Sequence, residues 1–252
     1  SDLSSMLNQT VKPDEIVIVE DGPLTDELYA VVNEYVTNYP DIIKIVVNEK
    51  NVGLGLALNK GIMHCKNELI ARMDTDDISK PDRCEKQLKR FEEKPELDIV
   101  GTWIDEFYTE PKKVVSTRAV PCNSDDIYKY GKKRSPFNHP SVMYRKSKVL
   151  ENGGYSNLRR NQDVDLFGRM LYAGCKAENI GESLVLFRAN DNLAKRRKSW
   201  ENTKSYINTI RKFWEIGYAS FIDFLLVVIA QIGMFVMPVK MQHWVYKKFL
   251  RK

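Results

Sequence analysis

The chain has 252 residues, of which 43% are hydrophobic and 29% charged, so it is long enough and apolar enough for one large globular domain or a domain with an appendage. None of its four cysteines lies within four residues of another, which argues against a zinc site and a disulfide framework and favours a reducing compartment. The net charge of +5 is uneven, because residues 188–252 carry 13 Lys and Arg against 4 Asp and Glu, a net +9, which leaves a net −4 on residues 1–187. A basic tail on a mildly acidic body indicates an anionic partner, either lipid or nucleic acid.

Strands and helices alternate through the first 103 residues. The patterns predict a strand over 14–21, a helix over 26–39, a strand over 42–48, a helix over 53–65, a strand over 68–74, a helix over 81–95 and a strand over 97–103. The strand over 14–21 has a continuous apolar run, which predicts burial on both faces. This alternation indicates βαβ units and a mostly parallel, Rossmann-like sheet, in which ligands bind beyond the carboxyl ends of the strands.

The alternation fades after Val120. Residues 139–155 predict a strand, a short helix and a Gly-Gly turn, and residues 161–174 predict a helix that ends at Gly174. Asp163 falls near the first turn of that helix, where the helix dipole favours an ionised carboxylate.

The tail, residues 191–252, is predicted to be helical, basic and apolar. It contains the cluster AKRRKSW at 194–200 and an apolar run of 14 residues, 224–237, with one polar member. A bilayer crossing needs roughly 20 residues, so a basic-flanked run of this length favours a helix lying in the membrane interface. A buried helix of a helical cap and a membrane span are the alternatives.

Three carboxylates, Asp74, Asp76 and Asp77, follow directly on a predicted strand. Like charges this close raise each other's pKa, so a metal ion or basic side chains should lie beside them. Three interpretations remain open from the motif alone. The aspartates could bind a divalent cation and a ribose hydroxyl, form an aspartyl-phosphate phosphatase motif, or cap the following helix. Ile78 and the two preceding strands argue against the phosphatase.

Further motifs follow in a defined order: SMLNQTVKPDEIVIVEDG, NVGLGLALNKGI, ARMDTDD, FNHPSVMYRK with GGYS, and NQDVDLFGRML. Together they resemble the inverting family-2 glycosyltransferases of the GT-A fold, the kind found in bacterial capsule, exopolysaccharide and O-antigen assembly. The resemblance implies a GT-A domain over residues 1–190, with a nucleotide-sugar half at 1–103 and an acceptor half at 104–190, followed by a membrane-associating tail at 191–252. Nothing matches the strand with which the family begins, so that first strand is expected to be absent.

The resemblance also implies roles for the motif residues. Asp163 would be the general base, and Asp76 would ligate Mn²⁺ or Mg²⁺ at the diphosphate of a UDP-sugar. Asp74 would contact the ribose, and Asp21 the uracil or ribose. Asn59, in the second motif, is a further substrate-binding candidate.

Three other side chains have two interpretations each. His139 could face the acceptor or the metal, or make a structural hydrogen bond. Trp103 could stack on an acceptor sugar or belong to the core. Arg188, together with Arg196 and Arg197, could close over the diphosphate or face lipid headgroups.

The function that the resemblance implies is a metal-dependent transfer of a hexose or N-acetylhexosamine from a UDP-sugar to a lipid-linked saccharide. The enzyme would lie in the cytoplasm, peripherally bound to the anionic inner face of the cell membrane, and would bind no nucleic acid. The alternative is a non-catalytic, membrane-bound assembly subunit that retains the fold.

Overall fold

The computed structural model describes residues 2–189, 199–238 and 241. The helices in these ranges are α1 (Asp2–Leu7), α2 (Asp26–Asn38), α3 (Leu54–His64), α4 (Arg83–Glu93), α5 (Ser124–Gly131), α6 (Lys146–Glu151), α7 (Gln162–Tyr172), α8 (Trp200–Glu215) and α9 (Phe221–Val236). The strands are β1 (Ile16–Asp21), β2 (Ile43–Asn48), β3 (Leu69–Ala71), β4 (Ile78–Ser79), β5 (Leu97–Phe107), β6 (Val114–Arg118), β7 (Met143–Arg145) and β8 (Lys176–Arg188). A single 3-10 turn, His139–Ser141, precedes β7.

The strands form two sheets. β1 and β2 pair in parallel, and the other six strands form a sheet of order β3-β7-β5-β8-β4, with β6 also paired to β5. Within the larger sheet only β5 and β8 are parallel. The α/β class is confirmed, but the predicted mostly parallel sheet is wrong, because short connections such as that between β5 and β6 reverse the chain without a crossover helix.

The two sheets are not joined by a strand. In the described part of the chain, β1 pairs only with β2, and β3 pairs only with β7. With one edge unpaired, β1 is half-buried rather than buried on both faces as predicted, and only Glu20 in it is buried. The strand before the acidic motif is also shorter than predicted and half-buried.

The tail helix α8 shares a hydrophobic core with the acceptor half. Ile210 and Phe213 of α8 are buried in one cluster with Phe167 of α7. A Cβ on Gly168 would lie 2.0 Å from Cζ of Phe213, so only glycine allows α7 and α8 to approach this closely. Apolar side chains of α7 and α8 therefore pack together across the predicted boundary between residues 190 and 191, which stays a prediction.

Helix α9 has one packed face and one exposed face. It begins with a capping box formed by Ser220 and Asp223, and the ring of Phe224 stacks on Trp214 of α8 at 5.6 Å. The opposite face exposes Ile222, Leu225, Leu226, Ile229, Ile232 and Val236, which we call the apolar stripe. Within the described ranges, no helix is both long enough and apolar enough to cross a membrane.

Candidate active site

The acidic loop, residues 74–77, is held by a buried arginine. Arg72 is only 4% exposed, and its Nη1 donates to Oδ2 of Asp74 at 2.7 Å while its Nη2 donates to Oδ1. Burial lowers the pKa of the Arg72 guanidinium, but the charge of Asp74 more than offsets this, so Arg72 remains a cation. The positive partner that the clustered carboxylates require is therefore present in the protein itself.

Arg188, at the end of β8, is joined to the same loop. Its backbone N–H donates to Oδ1 of Asp77 (2.9 Å), and its Nε donates to the carbonyl of Asp76 (3.1 Å). Asp77 is fully buried, and its Oδ2 has no hydrogen-bond partner. Burial, with the nearby charges of Asp74 and Asp76, raises the pKa of Asp77 to about 7. The raised pKa therefore belongs to the last residue of the loop, where the carboxyl is buried.

The loop fits a cation that is bound together with a ligand. Among the residues that the structure describes, no group of three or more His, Cys, Asp or Glu side chains is arranged as a complete metal site. Mg²⁺-type ions are commonly held by one or two carboxylates, with substrate phosphates and water as the other ligands. Asp76 is exposed, Asp74 is half-buried, and the unpartnered Oδ2 of Asp77 adds negative charge behind them. The capping interpretation is wrong, because α4 begins only at Arg83.

The second carboxylate site is Asp163, in the first turn of α7. It is half-buried, and burial raises the pKa of its carboxyl, although two backbone N–H groups and the charges of Arg118 and Arg72 act in the opposite direction. Because Arg72 also pairs with Asp74, the charge of one buried cation acts on both the proposed base and the acidic loop. Asp165 instead accepts from Nη2 of Arg169 at 2.8 Å, which gives it a structural role.

His139 makes a structural hydrogen bond. Its Nε2 lies 2.9 Å from the hydroxyl of Tyr155, and its ring also packs against Tyr155 and Phe167. Burial, reinforced by the charge of Arg72, holds the pKa of His139 well below its usual value, so the imidazole is neutral. The neutral imidazole of His139, hydrogen-bonded to Tyr155, orients the groups around Arg72 but brings no positive charge to a ligand.

Asp21 and Asn59 are engaged by the protein's own backbone. Asp21 accepts from Asn48 Nδ2 (3.0 Å) and from the backbone N–H groups of Val52 (2.9 Å) and Gly53 (3.0 Å). Burial alone would raise the pKa of Asp21, but these hydrogen bonds lower it below the usual range. Asn59 both donates to and accepts from the backbone of Tyr155 at 2.7 Å. Both side chains therefore fix the loops that border the site.

Trp103 belongs to the packing of the large sheet. It is a half-buried residue of β5 whose indole N–H donates to the carbonyl of Val120 at 2.9 Å. Arg196 and Arg197 lie outside the described residues.

Sequence reasoning missed the roles of Arg72 and Tyr206. A signal for Arg72 was present, because a charged residue at the end of an apolar run, two positions before Asp74, lies on the same side of an extended chain as that aspartate. Tyr206 offered none, because it belongs to the segment assigned to the membrane. In the structure it lies in α8, close enough to Asp163 for that charge to affect its pKa.

Comparison with known proteins agrees with this arrangement. Residues 3–154 match the family described as Glycosyl transferase family 2. The chain belongs to this family. Two similar bacterial relatives are named as glycosyltransferases. One is UDP-Gal:alpha-D-GlcNAc-diphosphoundecaprenol beta-1,3-galactosyltransferase of Escherichia coli, 36% identical over 99% of this chain and 90% of that protein. The other is amylovoran biosynthesis glycosyltransferase AmsE of Erwinia amylovora, 35% identical over 98% of this chain and 91% of that protein.

A solved structure supports the fold of this glycosyltransferase. The crystal structure of GalNAc-T7 with UDP, GalNAc and Mn²⁺ superposes with a TM-score of 0.67 and covers 96% of this chain. The glycosyltransferase spans 50% of the length of that chain and shares 14% sequence identity with it. At this identity the likeness shows the GT-A fold alone.

Proposed function

We propose that this glycosyltransferase transfers a hexose or N-acetylhexosamine from a UDP-sugar to a lipid-linked saccharide during assembly of a bacterial surface polysaccharide. The observation that carries the proposal is that Arg72 pairs with Asp74 of the acidic loop while its charge also acts on Asp163. The donor and acceptor classes are taken from the name of the Escherichia coli relative, which specifies a UDP-galactose donor and a diphosphoundecaprenol acceptor.

Each residue has a defined task in this reaction. Asp76 would hold Mn²⁺ or Mg²⁺ together with the diphosphate, and a bound divalent ion offsets the negative charge that develops on UDP as it leaves. Asp74, fixed by Arg72, presents its carboxylate to a ribose hydroxyl. Asp163 accepts the proton of the attacking acceptor hydroxyl. A single displacement of this kind inverts the anomeric centre and needs no covalent intermediate.

The alternative, a non-catalytic subunit, has less support. A half-buried carboxylate whose pKa is raised by burial is costly to keep in a protein, and such groups concentrate at active sites. A subunit that only bound membrane or other proteins would gain nothing from Asp163 in this environment.

Calorimetric titration with UDP tests the nucleotide site. The wild-type protein is expected to bind UDP with Mn²⁺ and to lose most of that binding in EDTA. Asp76→Ala is expected to weaken Mn²⁺-dependent binding by about tenfold or more, since it removes a charged ligand of the ion.

Asp82→Ala is the matched control. It removes an equal charge from a carboxylate that pairs with Lys86 outside the acidic loop, so binding should remain as in wild type. UDP binding that is unaffected by EDTA and by Asp76→Ala would contradict the metal role of Asp76.

The proposal also includes peripheral binding of α9 to the anionic inner face of the membrane. Ile222 and Ile229 in the apolar stripe are 68% and 61% exposed, and no charged side chain interrupts the stripe. Trp200 and Trp214 are exposed at the α8–α9 contact, and tryptophan favours the membrane interface. The net charge of +9 on residues 188–252 favours anionic lipid as the occupant.

Sedimentation with phosphatidylethanolamine–phosphatidylglycerol vesicles tests this binding. The double variant Ile222→Asn with Ile229→Asn is expected to bind at least about tenfold more weakly, because two apolar side chains no longer leave water. The control pair Met63→Asn with Val115→Asn alters equally exposed side chains elsewhere and should bind normally. Unchanged vesicle binding by the α9 variant, or a lipid-independent dimer that this variant abolishes, would contradict membrane binding through α9.

A further inference from the structure

One face of α8 borders the surroundings of Asp163. Ser205 Oγ donates to the carbonyl of Arg160 at 3.0 Å, just before α7, and Tyr206 Oη donates to the carbonyl of Lys133 at 3.1 Å. These two contacts fix α8 against both the start of the catalytic helix and the loop that follows α5. Tyr206 therefore stands between Asp163 and the segment Lys132–Ser135.

Arg134 lies on the segment Lys132–Ser135, and Arg118 lies beside it. Arg118, the last residue of β6, donates from Nη2 to the carbonyl of Ser135 at 3.3 Å. The guanidinium of Arg134 lies over the ring of Tyr130, 5.7 Å from its centroid. Arg118 therefore contacts the same segment that carries Arg134 and that Tyr206 contacts through the carbonyl of Lys133.

The charges of Arg118, Arg134 and Asp163 all act on the pKa of Tyr206. Burial raises the pKa of the Tyr206 hydroxyl, the charges of Arg134 and Arg118 lower it, and the charge of Asp163 raises it. Asp163, Arg118, Arg134 and Tyr206 are all half-buried, so each is fixed by neighbours yet open to a ligand. A ligand bound to the arginines would thus lie beside the proposed base.

The same segment is tied to the apolar helix. Lys133 Nζ forms an ion pair with Oδ1 of Asp223 at 3.1 Å, and Asp223 belongs to the capping box at the start of α9. Contacting elements therefore carry, in this order, the proposed base Asp163, Tyr206, the two arginines and the apolar stripe. This is the order of chemical groups in a saccharide joined through a diphosphate to a lipid.

We propose that Arg118, Arg134 and Tyr206 form a subsite for the diphosphate of the acceptor. The inference rests on the proposed function and assigns these residues a different phosphate group from the one at the acidic loop and Arg188. Planar guanidinium groups bind phosphate oxygens through paired, charge-assisted hydrogen bonds. The Tyr206 hydroxyl, whose single proton is donated to the carbonyl of Lys133, would turn toward the phosphate to supply a neutral donor. The acceptor sugar lies between this subsite and Asp163, and the lipid chain continues toward α9.

Two acceptors that differ only in the diphosphate test the subsite. One is a sugar joined through a diphosphate to a short polyprenyl chain, and the other is the alkyl glycoside of the same sugar. Arg118→Gln and Arg134→Gln are each expected to raise KM for the diphosphate acceptor by about tenfold, the effect of losing a charge-assisted hydrogen bond. KM for the glycoside and the affinity for UDP with Mn²⁺ should not change.

The control variant is Lys204→Gln, which removes the same charge from an exposed position on α8. All rates are measured on the pH plateau, so that a change in the pKa of Asp163 on loss of the Arg118 charge does not enter the comparison. Tyr206→Phe should give a smaller rise in KM than either arginine variant, because it removes a neutral donor. Equal losses on both acceptors, or weaker UDP binding with an unchanged preference between acceptors, would overturn the subsite.

Direct binding separates this inference from the proposed function. The diphosphate acceptor is titrated into the wild-type protein and into Arg134→Gln without a donor sugar nucleotide, and inorganic pyrophosphate is added as a competitor. Weaker binding by the variant, with competition by pyrophosphate in wild type, supports the subsite even if no donor is turned over. Equal binding by both proteins overturns the subsite and leaves the glycosyltransferase proposal intact.

Discussion

Asp163→Asn is expected to lower kcat by about 10²- to 10⁴-fold, the usual contribution of a general base, while the affinity for UDP with Mn²⁺ stays unchanged. The amide keeps the size and the hydrogen-bond acceptor of the side chain but cannot take up the proton of the acceptor hydroxyl. Product formation from a UDP-sugar and calorimetric UDP binding are the two measurements. A variant that retains full turnover would exclude Asp163 as the base.

Stability and pH distinguish this loss of activity from misfolding. Burial raises the pKa of Asp163, so folding is disfavoured by its charge above the folded pKa, and this cost is absent below the ordinary aspartate pKa. Asp163→Asn should therefore unfold with an equal or larger free energy at neutral pH. In the wild type, kcat/KM should fall as pH decreases through a pKa above that of an ordinary aspartate.

Asp165→Asn is the matched control on the same helix. It weakens the buried pair with Arg169 and should lower the free energy of unfolding by about 1–3 kcal/mol while turnover continues. The reverse result, in which the folded Asp165 variant is inactive and the Asp163 variant is active, would assign the base to Asp165.

Arg72→Gln is expected to weaken binding of UDP with Mn²⁺ by about 10- to 100-fold, although Arg72 acts through Asp74 rather than on the nucleotide. Without its paired hydrogen bonds, Asp74 no longer has a fixed orientation toward the ribose. The loss of a cation should also raise the pKa of Asp163 further and move the acid limb of kcat/KM to higher pH. Calorimetry and a pH profile measure the two effects.

Arg72→Lys separates geometry from charge. Lysine keeps the positive charge but cannot form the two-pronged pair, so UDP binding should stay weak while the acid limb returns toward its wild-type position. Arg145→Gln, on the neighbouring strand β7, is the structural control, because Arg145 donates to the backbone carbonyls of Leu97 and Pro95 and lies over the ring of Phe91. If Arg145→Gln changed UDP binding and the pH profile as Arg72→Gln does, a loss of stability would explain both variants.

Local structure could be predicted from the sequence where one hydrophobic period dominates. The predicted helices over 26–39 and 161–174 agree with α2 and α7 to within a few residues, since apolar spacing and capping are local properties. Strand direction depends on connections between distant segments, which is why the sheet proved mixed. The motifs predicted Asp74 and Asp163 as site residues, whereas the buried cation Arg72, whose charge acts on both, became apparent only with the fold.

The contacts of the tail with distant segments also could not be predicted from the sequence. The apolar run within 224–237 has a clear composition, but nothing local indicates that Phe213 should fit against Gly168 or that Tyr206 should reach the surroundings of Asp163. These contacts join segments roughly 40 residues apart, and only the three-dimensional packing creates them. The composition predicted an apolar, basic tail, but only the three-dimensional packing shows that α8 lies against α7.

The close approach of α7 and α8 at Gly168 has a consequence for how such enzymes diversify. A lineage could not exchange its terminal helices for those of a relative as an independent cassette, because Phe213 must match the glycine on the catalytic helix. Substitutions in α8 would need compensating substitutions in α7, so the two helices are expected to be inherited as a pair. Chimeras that exchange α7 and α8 together, and so keep Gly168 and Phe213 matched, should therefore fold. Chimeras that exchange only one of the two helices should fail to fold.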